Sequence, residues 1–382
     1  MSLAGMSPED AILTVNIDAS PYGLVVRPGY VEYANGFTGD ETKTIIPFTG
    51  SMEDGSNDRI FATTNDGIFD VTSGTPIKVF NFVVKSTDAG WGIFVQVVND
   101  GGDHALLLTD SANGVFQYLE SSGLWGAPTV SGPTGTLVFV TKWKERTWYI
   151  EENSTSAWYT ELGDFTGVVT EFNFGNKFRA GGNLVAVYSW TLDAGDGSDD
   201  YLVAVSSAGD VVVYSGTDPS SSSTFGQIGR WFIGAMPAGR RVGSQFGGDL
   251  LLLSSYGLVS AGDLLKGENP FTQQGSLSWK IQGFLSTAMA QTRTELGWEV
   301  KLHPSLNIII ISTPKVINLP YRQFVYNINV EAWSIWEDVP ILTSESYQGT
   351  MYIASELSSL WTMGGYLDNV TLSAPEDNRR EI

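Results

Sequence analysis

Short apolar runs recur along this chain, each broken by a polar or glycine turn and followed by a run carrying aromatics. The copies read RIFATTNDGIFDV from Arg59, HALLLTDSANGVFQYLE from His104, RTWYIEENSTSAWYTE from Arg146 and DYLVAVSSAGDVVVYSG from Asp200. They continue with DLLLLSSYGLVSAG from Asp249, RQFVYNINVEAWSIWED from Arg322 and TMYIASELSSLWTMGG from Thr350. Each reads as a β-hairpin: Asn65-Asp66-Gly67, Asn113-Gly114 and Ala208-Gly209-Asp210 supply the positive φ that tight turns need, and Tyr201, Val203 and Val205 alternate as strand residues do. The starts lie 45, 42, 54, 49, 73 and 28 residues apart. A four-stranded propeller blade repeats every ~40–50 residues, which the first four intervals match and the last two average. The long interval holds an extra hairpin, WEVKLHPSLNIIIIS from Trp298, and the one good helix candidate, Phe284 to Leu296.

The pattern predicts an all-β fold, a β-propeller of about six to eight blades on a count of seven hairpins, with one short helix inserted late. One blade cannot bury both of its faces, so neighbours stack, and closing the ring removes exposed edges. The expected unit is a single domain over 1–373, closed by pairing of N- and C-terminal strands. The segment Ala11 to Tyr33 would supply the N-terminal strands, and 374–382 reads as a polar tail.

Composition agrees with many short strands: 43 of 382 residues are Gly, 12% are aromatic and only 16% are charged. The net charge is −21, and residues 1–110 hold 15 Asp/Glu against 5 Lys/Arg. Such acidity opposes charge-driven binding of nucleic acid. With no cysteine, disulfides, thiolate zinc and a Cys nucleophile are excluded. No apolar run is long enough to span a membrane, and Met1 to Asp10 lacks the basic-then-apolar pattern of a secretory leader. The expectation is a secreted-or-virion-type structural protein made in a cytoplasm.

Candidate chemistry is sparse. His104 and His303 stand in different hairpins without companions at metal spacing, which favours turn or partly buried histidines over ligands. Asp193, Asp196, Asp199 and Asp200 form the densest acidic loop; it could hold calcium, or be a solvated turn. No other cofactor is expected. Ser86-Thr87-Asp88-Ala89-Gly90-Trp91 partly resembles the Asp box of sialidase-like propellers, with a fragment repeated at Thr191–Gly195. No arginine cluster for a carboxylate is assignable, so glycosidase activity is discounted. Arg240-Arg241 with Arg230 could touch phosphate or pair with acids. Trp143, Trp148, Trp158 and Tyr159 read as core aromatics, with carbohydrate stacking as the alternative.

The order of features from Pro28 to Gly365 resembles the tail nozzle, or tail-tube, proteins of short-tailed bacteriophages. The likeness runs through PGYVEYANGFTGDETKTIIPFTG, KWKERTWYIEENSTSAWYTELGDFTG, GQIGRWFIGAMPAGRRV and LHPSLNIIIISTP followed by RQFVYNINVEAWSIWED. The resemblance implies a virion structural protein and not an enzyme, in a homo-oligomeric ring, usually a hexamer. That ring docks on portal and adaptor proteins and carries tail-fibre contacts, and DNA is ejected through its lumen without specific binding. The alternatives are a carbohydrate-binding, lectin-like propeller that recognises cell-surface glycans, and a propeller hydrolase.

Overall fold

The runs HALLLTD, DLLLLS and IIIIS are buried almost end to end, which a strand achieves only when both faces of its sheet are covered. The computed structural model describes residues 14–193, 198–272, 275–315 and 321–365, and in it these runs are the second strands of radially stacked sheets. The fold is a seven-bladed β-propeller.

Blade I comprises Thr44–Phe48, Arg59–Thr64, Gly67–Asp70 and Ile77–Asn81; blade II, Gly92–Val98, His104–Asp110, Gly114–Leu119 and Leu124–Gly126. Blade III comprises Leu137–Trp143, Arg146–Glu151, Ser156–Tyr159 and Thr170–Asn173; blade IV, Leu184–Asp193, Ser198–Ser206, Asp210–Gly216 and Phe225–Phe232. Blade V has Gly243–Phe246, Asp249–Ser254 and Gly257–Ser260; blade VI, Glu299–His303, Ile308–Ser312, Arg322–Asn327 and Ala332–Glu337. Blade VII joins Thr343–Tyr347, Thr350–Ser355 and Ser359–Met363 to Tyr30–Asn35 from near the other end of the chain. Tyr30 pairs with Met363 and Asn35 with Ser359, so the ring closes by hydrogen bonds. Of the expected domain, 1–13 and everything past Gly365, including the tail 374–382, lie outside the described residues.

Second strands begin at Arg59, His104, Arg146, Ser198, Asp249, Ile308 and Thr350, intervals of 45, 42, 52, 51, 59 and 42. The uneven spacing in the sequence has a simple origin. The hairpin from Arg322 forms strands three and four of its blade, whereas the others counted form strands two and three; the extra hairpin from Trp298 supplies strands one and two of that blade.

The helix spans Gln282–Thr292, not Phe284–Leu296. It packs Leu285 and Met289 against Leu251, Leu253 and Leu258 of blade V, beside the outermost strand, which Ser276 bridges. It stops early because its last carbonyls are claimed from outside the helix. The Trp298 indole donates to the Thr292 carbonyl at 2.9 Å, and the Ala238 N–H donates to that of Arg293 at 2.7 Å. Among the described residues no helix is long and apolar enough to cross a membrane.

Candidate functional site

The first strands of consecutive blades touch one another around the axis, and their side chains wall a channel. The link from blade IV to blade V enters it. Arg241 points from that link to blades I and II: Nη1 donates to the Lys43 carbonyl at 2.9 Å, Nη2 to Thr44 Oγ1 at 2.6 Å and Nε to the Gly92 carbonyl at 3.2 Å. Its guanidinium lies 5.2 Å from the Trp91 ring centre and 3.5 Å from Glu299 Oε1 of blade VI. Arg240 anchors on blade IV instead, Nη1 donating to the Leu184 and Val185 carbonyls at 3.2 and 2.8 Å. Together the pair forms a septum. A cavity of about 580 Å³ lies on one side, and one of about 490 Å³ on the other.

The 490 Å³ cavity is lined by a charge network built on strand periodicity. Glu299, Lys301 and His303 are every second residue of one strand, so they share a face, and that face meets Thr343–Tyr347 of blade VII. Glu299 accepts from Thr343 Oγ1 at 3.0 Å and the Ser344 N–H at 3.1 Å. Lys301 pairs with Glu345, which accepts the Ser346 N–H at 3.0 Å. His303, fully buried, has both ring nitrogens 2.9 Å from hydroxyls, of Ser346 and Ser344. Burial first, then the Lys301 charge, hold the His303 pKa down at about 3, so the ring is neutral. Burial works to lower Lys301 as well, but the carboxylates of Glu345 and Glu299 outweigh it and the net shift is upward. Arg240 is lowered by burial to about 10 and keeps its charge at neutral pH.

A second feature lies at the rim. Asn16 donates to the Ile335 carbonyl at 2.8 Å and Ile335 back to that of Thr14 at 3.0 Å, so the chain runs alongside the outer strand of blade VI. It then forms a hairpin, Ile17–Ser20 with Gly23–Val26. The base is fixed: buried Asp18 accepts from Ser334 Oγ at 2.5 Å and the Trp336 indole at 2.8 Å. The turn residue Tyr22 is 100% exposed, and the strand that follows is apolar and open to solvent, with Leu24 64%, Val25 48% and Val26 43% exposed. Among the described residues it pairs only with its hairpin partner. Of the segment Ala11 to Tyr33, then, these strands ride on blade VI; ring closure falls to Tyr30–Asn35.

No known family profile matches this sequence, and no curated protein matches it. Among solved structures, the chain is similar to the extracellular domain assigned to a hybrid two-component system of B. thetaiotaomicron. The TM-score is 0.55 at 11% identity, over 94% of this chain and 47% of that one, so the chain spans about half the length of that protein. Raptor from Chaetomium thermophilum aligns at TM-score 0.49 and 12% identity over 89% of this chain and 29% of its own. The computationally designed protein Ika8 aligns at 0.47 and 7%, over 92% and 99%. Similarity at this level concerns the propeller fold.

The structure separates the residues that the sequence groups. Arg230 donates to the Lys177 carbonyl at 2.9 Å on the outer strand of blade IV, away from the septum. His104 sits 3.9 Å from Glu120 on blade II. Trp143, Trp148 and Tyr159 are core, and the Trp158 indole donates to Glu151 at 3.1 Å. Of the acidic loop, Asp193 ends one strand of blade IV, Asp199 and Asp200 belong to the next, and Asp196 lies outside the described residues. Asp200 accepts from Thr191 Oγ1 at 2.6 Å. Among the described residues no three His, Asp or Glu gather as metal ligands. Asp88, from the Asp-box fragment, lines the 580 Å³ cavity. Of the arginine pair that the sequence singled out, Arg241 does pair with an acid, Glu299. The pair's place across the channel and the charge network escaped sequence reading, although Glu299, Lys301 and His303 at period two were a signal.

Proposed function

We propose that this protein is a virion structural subunit that assembles with copies of itself into the nozzle ring of a short phage tail. The observation that carries the reading is the hairpin Ile17–Val26, whose base is buried and whose apolar tip strand is exposed with an open edge. An apolar edge strand is an aggregation hazard unless a partner covers it. A rigidly anchored one that meets a different surface on the next copy makes a heterologous contact, and such contacts close into rings. The resemblance to nozzle proteins sets the number at six and adds portal, adaptor and fibre contacts.

The septum fits the same role. Arg240 and Arg241 obstruct the propeller's own axis, so DNA travels through the lumen between subunits. A net charge of −21 repels phosphates from the wall and keeps the duplex moving. In this reading the chain performs no catalysis and resides in the virion after synthesis in the host cytoplasm.

The test is a phage carrying Leu24→Asp with Val26→Asp. Both side chains are exposed, so the subunit's own stability should move by no more than about 0.5 kcal/mol. Purified particles should lack the nozzle ring and fail to eject DNA. Normal incorporation of the double variant would remove the hairpin from assembly and defeat the reading.

A further inference from the structure

The 580 Å³ cavity differs from its counterpart across the septum in what its polar groups do. Asp88, Glu152, Asn153, Asn183, Arg240 and Arg293 line it. Arg240 donates only from Nη1, to two carbonyls of blade IV; its Nε and Nη2 meet no acceptor among the described residues, and the Glu152 carboxylate acts on its charge without a hydrogen bond. Arg293 has its carbonyl pinned by the Ala238 N–H at 2.7 Å, yet its guanidinium makes neither a hydrogen bond nor an ion pair there. The side chains of Asp88, Glu152, Asn153 and Asn183 likewise have no hydrogen-bond partner among the described residues. Met236, Pro237 and Leu296 supply an apolar stretch of wall.

Convergent unpaired polar groups in a concave site of this size, within the ~300–1,000 Å³ range of ligand pockets, are what a small polar ligand requires. Their chemistry narrows the ligand. Two guanidiniums call for an anion, and arginine's planar fork matches a carboxylate. Two carboxylates on the same wall repel a polyanion, which excludes DNA and disfavours phosphate. They accept hydrogen bonds from hydroxyls, and the two amides both donate and accept. A ligand that satisfies every one of these groups carries one carboxylate and several hydroxyls on a compact frame with an apolar face.

We propose that the cavity at the Arg240 side of the channel is a binding site for an acidic saccharide unit, with Arg240 and Arg293 on the carboxylate and Asp88, Glu152, Asn153 and Asn183 on the hydroxyls. The site is independent of ring assembly, since blades II, III and IV, the septum and the segment after the helix supply its lining. It gives the protein a means of engaging an acidic glycan at one mouth of each propeller.

The experiment is calorimetric titration of the intact chain with glucuronate, glucose and inorganic phosphate, backed by the Arg293→Ala and Asp88→Asn variants. Arg293 and Asp88 are both exposed and unpaired, so each variant keeps its fold, which the melting temperature verifies. Glucuronate should bind at least about tenfold more tightly than glucose or phosphate. Arg293→Ala should abolish the preference over glucose, while Asp88→Asn should weaken both sugars. Equal affinity for glucose and glucuronate, phosphate binding as tight as glucuronate, glucuronate affinity unchanged in Arg293→Ala, or no heat with any of the three at ~10 mM would each overturn the proposal.

Discussion

The two cavities share the channel wall and the Arg240–Arg241 septum, yet they treat charge in opposite ways. On the 490 Å³ side, Arg241, Glu299, Lys301 and Glu345 are paired with one another, with hydroxyls or with backbone. On the 580 Å³ side, Arg240 is half used and Arg293 not at all. Adjacent residues of one chain thus do different work. A buried charge is tolerable only when paired, so Arg241 reads as a clamp joining blades I, II and VI. A charge at a cavity wall can remain partly unpaired because water or a ligand completes it. The contrast teaches that a dense ionic network in a propeller axis can be structural, while the sparser end carries the recognition chemistry.

Removing Arg241 tests that contrast most severely. Arg241→Met removes the cation in direct contact with buried Glu299, leaving it only the more distant Lys301 charge, and strips the bonds to blades I and II. It should cost about 3–5 kcal/mol in urea denaturation. Arg240→Met loses bonds to two carbonyls and should cost ~1.5–2 kcal/mol. Equal losses would mean that the two ends of the channel are energetically alike.

A smaller effect separates the closed end by pH. An unfolded histidine gains a proton as pH falls through ~6.5. Folded His303, pressed down by burial and then by Lys301, resists until about 3. Between these values the unfolded chain binds the additional proton, so stability is complete above ~6.5 and falls with pH by up to ~1.4 kcal/mol per unit. Native His303→Gln should lack that part of the slope, read by denaturation at pH 7, 6 and 5. An identical slope in the variant would show that His303 titrates freely.

Much of the propeller was legible because burial on both faces leaves a mark: DLLLLS and HALLLTD each carry an unbroken apolar run, Leu250–Leu253 and Ala105–Leu108, through the middle of the strand. Turn glycines were legible as well. Gly67 has φ +155°, and a Cβ there would meet the Phe80 carbonyl at 2.0 Å; Gly114 has φ +86°. Which strand of a blade a hairpin supplies was not legible, since that depends on neighbours distant in sequence, and the hairpin from Arg322 was displaced by one strand for that reason. The septum was hidden more deeply. The partners of Arg240 and Arg241 are mostly carbonyls of residues 43, 92, 184 and 185, and a carbonyl carries no side-chain signature. The 580 Å³ site draws on blades II, III and IV, so its residues lie far apart in the sequence.

The central claim, that the anchored hairpin builds a nozzle ring, is tested most directly by electron cryomicroscopy of the intact phage particle. The expected density is a closed ring of propellers on the tail axis, six-fold, with the Gly23–Val26 strand of each copy covered by its neighbour and DNA's path between subunits. A single copy per particle, a position off the tail axis, or a ring in which that strand faces solvent would contradict it.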